Sequence, residues 1–357
     1  MSGPERNLSM WRYHLRQLDD LAPVADPRSE VHDAPSLAVW QGGFRRELVE
    51  LLAPWPDDVP LLLEVADAGP ADGDGGFARH RVHCRVERHL DLSAWLLVPD
   101  HLPAPGPAVL AVHGHGPDPW LYEAGADAVV GPDPTDLEAM LALRAQCPPF
   151  GAELARAGFV VLAPDLRGFG ARSDGWPSGH HLCDLELTQH LARGRLPLTG
   201  HLHDLRRCLD VLVELPEVDP NRIGAAGFSL GGTLVLHLAA LDERVAAAFV
   251  SGGFSDPRAA ARVPFDVCGT QVLPGMLVDV DHVGLAAAIA PRPLSIETGD
   301  RDVLWPAADA VRAGERVADI YRAVGADGAC KHRTFAGDHR WDGTGLVDDL
   351  QRALASP

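Results

Sequence analysis

Apolar positions follow two regimes along this chain. Over residues 35–52, Leu37, Trp40, Phe44, Leu48 and Leu51 recur at helical spacing, which predicts an amphipathic helix. Three prolines in APWPDDVP (53–60) break it, and ADAGPADGDGG (66–76) reads as a turn-rich loop. Val82, Cys84 and Val86, then Leu90, Leu92, Ala94, Leu96 and Val98, alternate with their neighbours. That period of two predicts a pair of neighbouring antiparallel strands.

From about residue 107 the alternation stops. PAVLAV (107–112), GFVVLAP (158–164), RIGAAGF (222–228), VAAAFVS (245–251) and PLSIE (293–297) are short and apolar throughout, as suits strands covered on both faces of a parallel sheet. Helical segments lie between them. In 200–214, Leu202, Leu205, Leu209 and Leu212 share one face, with Thr199 placed to cap the helix. The expected fold class is α/β: a mostly parallel, doubly wound sheet with antiparallel leading strands. Two stretches, 117–147 and 170–198, exceed what a connection needs and leave the carboxyl ends of strands, so they read as lid-like insertions. Residues 1–60 are expected to form an N-terminal helical segment packed on a catalytic domain of 61–357.

Charge narrows the partners. The 357 residues carry 31 basic and 50 acidic side chains, a net charge of −19. Such a surface argues against nucleic acid and against anionic lipid, both of which need a basic footprint. The opening twenty residues hold no apolar run of the kind that directs secretion, and no run approaches the ~20 residues that cross a bilayer. The expectation is a cytoplasmic protein with a small-molecule substrate, homodimerisation being left open. Cys84, Cys147, Cys183, Cys208, Cys268 and Cys330 form no C-x-x-C pair and are expected as reduced thiols.

The chemistry centres on Gly227-Phe228-Ser229-Leu230-Gly231-Gly232, which follows an apolar strand and opens a helix. That is the setting of a nucleophile elbow, where residues flanking the serine must be tiny. A serine hydroxyl needs a base, and the base needs an orienting acid, both later in the chain for this topology. PLSIE runs into Thr298-Gly299-Asp300-Arg301-Asp302, and CKHRTF (330–335) into Ala336-Gly337-Asp338-His339. His339 is the base. Asp302 is preferred over Asp300 as the acid, because it lies further into its loop. Acyl transfer also needs backbone N–H groups aimed at the developing oxyanion. The amides of Leu230 and of His115, in Val112-His113-Gly114-His115-Gly116, are the candidates. His113 and His115 could form a metal pair, but no third ligand at matching spacing accompanies them. His180-His181 and His201-x-His203 are read as solvated or loop histidines. Trp120, Trp176, Phe254 and Trp305 are candidate pocket walls. No metal or cofactor is expected.

Together WLLVPD (95–100), HGHG (113–116), GFVVLAPDLRGFGAR (158–172), PEVDPNRIGAAGFSLGG (216–232) and GDHRW (337–341) resemble the α/β-hydrolase superfamily, in the branch related to acetyl xylan esterases and dienelactone hydrolases. The resemblance runs from about residue 40 to the end. It implies a triad of Ser229, Asp302 and His339 with oxyanion amides at Leu230 and His115. It departs from dienelactone hydrolases in having serine where they use cysteine. The implied activity is cleavage of a carboxylic ester of a small or medium-sized substrate through an acyl-enzyme. The alternative is a C–C, amide or thioester bond cleaved by the same triad.

Overall fold

The computed structural model describes residues 7–70, 76–102, 105–116, 125–131, 137–174, 182–262 and 267–355. Among them are strands β1 (Glu64–Pro70), β2 (Phe77–Glu87), β3 (Leu90–Pro99), β4 (Gly106–Val112), β5 (Val160–Pro164), β6 (Val218–Phe228), β7 (Val245–Ser251), β8 (Leu294–Gly299) and β9 (Cys330–Phe335). The helices are α1 (Met10–Asp20), α2 (Ala34–Leu51), α3 (Asp127–Val130), α4 (Leu137–Gln146), α5 (Phe150–Arg156), α6 (Leu182–Leu191), α7 (Pro197–Glu214), α8 (Leu230–Leu241), α9 (Pro257–Ala260), α10 (His282–Ile289), α11 (Ala307–Ala323) and α12 (Leu346–Ala353). The strands form one sheet in the order β1-β2-β3-β5-β4-β6-β7-β8-β9. The first three strands and the β3–β5 pair are antiparallel, and every pair from β5 to β9 is parallel.

The continuous apolar runs are explained by the two cores. In β4, Ala108, Leu110 and Val112 join the core on one face of the sheet, with α7, α8 and α10. Val109 and Ala111 join the core on the other, with α5 and α12. Helix α8, LGGTLVLHLAAL, is buried all round except at its last residue, so its sequence shows no polar stripe. Helix α2 begins in a capping box between Asp33 and Ser36. Its buried Gln41 Nε2 lies within hydrogen-bond reach of the carbonyls of Ala287, Ala288 and Ala290 at the C-terminal end of α10.

Three expectations are corrected. Residues 66–70, read as the start of a loop, belong to β1, where Val65 pairs with Val82 and Ala66 with Arg81. An edge strand tolerates Gly and Pro because only one side of it is paired. Thr199 is not a cap: α7 starts two residues earlier, on Pro197, and Thr199 Oγ1 donates to the Leu52 carbonyl at 2.6 Å. His201 and His203 are buried, at 1% and 3% exposure. The first two turns of α7 are enclosed on every side, so His203 Nε2 meets the Val86 carbonyl at 2.6 Å. Beside them Asp204 takes a two-point contact from Arg167, at 2.6 and 2.9 Å, and a third bond from Arg172 at 2.8 Å. Within the two long connections, α3, α4 and α6 are described, while residues 117–124, 132–136 and 175–181 fall outside the described set. Among the described residues no helix is long and apolar enough to cross a membrane.

Candidate active site

Ser229 sits where β6 turns into α8, at φ 55° and ψ −117°, a conformation that L-residues rarely adopt. The turn closes because its neighbours lack side chains. A Cβ on Gly227 would collide with the Gly231 carbonyl, and one on Gly231 with the carbonyls of Val112 and His113. A Cβ on Gly232 would stand 2.7 Å from the Ser251 carbonyl. The Ser229 amide donates to that same carbonyl at 2.8 Å, which locks the elbow to β7. Ser229 occupies the N-cap position of α8 without capping it, so its hydroxyl is left to point elsewhere.

It points at His339. Ser229 Oγ lies 2.8 Å from His339 Nε2, and His339 Nδ1 lies 2.8 Å from Asp302 Oδ2. The other Asp302 oxygen accepts the amides of Leu304 and Trp305, at 2.9 and 3.0 Å. Its side chain is 1% exposed. Asp300 stands apart: half its side chain is exposed, and its Oδ1 accepts the Gly337 amide at 2.9 Å. It clamps the turn before His339 rather than touching the ring. That turn is held further by Arg301 N–H to the Gly337 carbonyl and by the Phe228 ring, stacked 5.1 Å from the imidazole. Behind it Glu297 accepts the amides of Asp342 and Gly343. Burial pushes the Glu297 carboxyl above its ordinary range. Sequence reasoning missed this residue, although a carboxylate ending an apolar strand run was a visible signal.

The 113–116 turn forms the opposite wall. A Cβ on Gly114 would lie 2.7 Å from the Phe228 carbonyl and 3.0 Å from Ser229 Cβ, so this turn and the first turn of α8 flank one hydroxyl. His113 fixes the turn: Nδ1 bonds the Gly114 carbonyl at 2.7 Å, and Nε2 accepts the Leu166 amide at 3.1 Å. Burial lowers its pKa to about 4, so the ring is neutral and can accept at one nitrogen while donating at the other. His115 packs edge-on to Phe169 and meets Cys183 Sγ at 3.3 Å. Cys268 lies with them, its Sγ 3.0 Å from Thr270 Oγ1. Hydrogen bonding from Cys183, then from His115 and Thr270, holds the Cys268 thiol well below its ordinary range. No spacing rule could have joined these residues, because they come from the turn after β4, from α6 and from a turn far along the chain.

Of the candidate pocket walls, Trp120 and Trp176 lie outside the described residues. Phe254 and Trp305 are buried, at 1% and 3% exposure, and both pack against the His282 ring. Trp305 also reaches the site through its backbone, as a donor to Asp302.

Comparison with known proteins bears on this arrangement. The dienelactone hydrolase family model matches residues 145–315, a span that holds Ser229 and Asp302 and stops short of His339. YtaP of Bacillus subtilis (strain 168), named as a hydrolase, is 27% identical over 308 residues, 78% of this chain and 90% of its own. Among solved structures, a Bacteroides fragilis NCTC 9343 protein named as an acetyl xylan esterase superposes with a TM-score of 0.71 at 19% identity, over 94% of this chain and 84% of that one. A glucuronoyl esterase from Solibacter usitatus gives 0.64 at 16% identity, over 91% and 95%. At such identities the likeness is one of fold.

Proposed function

We propose that this chain is a hydrolytic enzyme of the dienelactone-hydrolase-related branch of the α/β-hydrolases and that it cleaves a carboxylic ester through an acyl-enzyme on Ser229. The observation that carries the reading is the unbroken relay from Asp302 through His339 to Ser229, with both links at 2.8 Å. Asp302 accepts from Nδ1–H, which leaves Nε2 as the lone-pair face toward the serine. His339 takes the hydroxyl proton as Oγ attacks the substrate carbonyl. The amides of Leu230 and His115 receive the tetrahedral oxyanion, a role that stabilises charge developing only in the transition state. His339 then protonates the departing alcohol. Water, deprotonated by the same imidazole, hydrolyses the acyl-enzyme. In this reading residues 61–357 carry the chemistry, and the first 60 brace the sheet through the contacts of α2 with α8 and α10.

The test uses the purified chain, p-nitrophenyl acetate and a fluorophosphonate. The probe is expected to add to the peptide containing Ser229. Ser229→Ala is expected to lower kcat by roughly 10⁴-fold or more while the protein stays folded. Turnover within tenfold of the parent in a folded S229A variant would overturn the assignment.

A further inference from the structure

Beside the elbow the fold gathers three soft donors that the proposed ester chemistry does not use. His115 offers Nε2 from the turn after β4, Cys183 offers Sγ from the first turn of α6, and Cys268 offers Sγ from the turn before residues 269–271. The three atoms lie within 4.8 Å of one another, and His115 Nε2 is 3.3 Å from Cys183 Sγ. In a tetrahedral zinc site, with Zn–S near 2.3 Å and Zn–N near 2.0 Å, donors stand roughly 3.6–3.8 Å apart. The donor separations bracket that range, so closing on an ion asks for shifts of at most about an ångström.

We propose that His115, Cys183 and Cys268 form a binding site for a soft divalent cation, with Zn²⁺ as the fitting ion. Two thiolates and one neutral imidazole cancel a 2+ charge, so the burial cost of the ion is small. Thiolate and imidazole donors select zinc over magnesium or calcium, which take oxygen. Each thiol still protonated before binding releases its proton to water as its sulfur bonds the metal. Thr270 Oγ1, 3.0 Å from Cys268 Sγ, is placed to hydrogen-bond a coordinated sulfur. The imidazole is what separates this arrangement from a plain cysteine pair, since a disulfide has no use for a ring nitrogen within 4.8 Å of both sulfurs. Cys183 is 6% exposed, whereas His115 and Cys268 are only partly covered, which gives the ion a way in. The bound ion would join α6, the 268–271 turn and the 113–116 turn, and so brace the turn that seats Gly114 against Ser229.

The experiment uses the full chain, reduced and stripped with a chelator, then titrated with Co²⁺ as a spectroscopic probe and afterwards with Zn²⁺. Expected are the visible bands of tetrahedral cobalt and a thiolate charge-transfer band, saturating at one equivalent and displaced by Zn²⁺ but not by Mg²⁺. Cys183→Ser and Cys268→Ser should each weaken binding at least about 100-fold, with Cys330→Ser, on β9, binding as the parent does. In the parent, Zn²⁺ should slow alkylation of Cys268 by iodoacetamide at least about tenfold, a readout that holds even where a variant does not fold. Absence of the cobalt bands, bands that persist in both serine variants, or a Cys183–Cys268 disulfide that survives the reductant would overturn the proposal. These signals report metal binding alone, so they are independent of whether Ser229 is the nucleophile.

Discussion

Replacing Asp302 by asparagine tests the relay at its least obvious point. The outcome follows from the two amides that hold the carboxylate. Leu304 and Trp305 donate to Asp302 Oδ1 at 2.9 and 3.0 Å, so an asparagine must place its carbonyl oxygen there or strand two N–H groups. Its NH₂ then faces His339 Nδ1, where Oδ2 stood at 2.8 Å. A donor in that place forces Nδ1 to accept, which moves the ring proton to Nε2 and aims it at Ser229. The base is lost with the geometry intact. Other triads put such a tautomer error at roughly 10⁴-fold in kcat, about 5 kcal/mol of barrier. Asp300→Asn is the matched control. Its Oδ1 accepts one amide, from Gly337, and an asparagine oxygen can still do so on a half-exposed side chain. A change below about threefold is expected. The assay is kcat on p-nitrophenyl acetate for both variants, with near-ultraviolet circular dichroism to show that each is folded. If D302N kept activity within tenfold of the parent, or D300N lost more than D302N, the reasoning would fail.

Gly114→Ala should lower kcat by about 10–100-fold in a folded protein. The new methyl would stand 2.7 Å from the Phe228 carbonyl, and relieving that contact shifts the 113–116 turn by roughly half an ångström; unchanged kcat would show that the turn does not contribute to the reaction. Asp204→Ala should cost about 3–5 kcal/mol in urea unfolding, because it leaves buried Arg172 without Asp204 and buried Arg167 with Glu87 as its carboxylate partner; a loss under about 1 kcal/mol would mean that the two arginines relax onto Glu87 and other partners. Stability should also fall as pH drops from 7 to 5. Burial lowers His113 and His237 to about 4 and His201 and His282 to about 3, whereas the same groups in the unfolded chain titrate near 6.5. Between those values the unfolded state binds more protons at each of these groups, so acidification lowers stability through them. A melting temperature independent of pH over this window would contradict it.

The parts of the fold that could be read ahead of the structure are those where one physical constraint acts along consecutive residues. Strands covered on both faces must be apolar at every position, so β4 to β8 stand out as short runs. The alternation of β2 and β3 marks the part of the sheet where covering is incomplete. The first strand escaped because an edge strand of EVADAGP, paired on one side only, can be built from residues that elsewhere make turns. The burial of His201 and His203 escaped for a different reason. Periodicity finds one apolar face of a helix, but the start of α7 is enclosed on all sides, and its polar residues are satisfied by Val86, Arg167 and Arg172 from distant parts of the chain.

The same distinction separates what was legible in the candidate site from what was not. The elbow is visible because each glycine answers a local demand. Gly227 yields to the Gly231 carbonyl, Gly231 to Val112 and His113, and Gly232 to Ser251, so the motif is a record of backbone contacts. Asp302 and His339 are visible because strands deliver them, and the order of strands is itself readable. The preference for Asp302 over Asp300 had only loop position behind it. The structure supplies the physical basis: the amides of Leu304 and Trp305 fold back onto Asp302, turning one oxygen into an anchor and leaving the other to the imidazole. The His115–Cys183–Cys268 cluster lies at the far limit of this reasoning. None of its members answers a local demand, and nothing in the neighbourhood of one foretells the others. A histidine in a glycine turn and two cysteines without C-x-x-C spacing carry no signal until the packing of α6 against residues 269–271 brings them to one point.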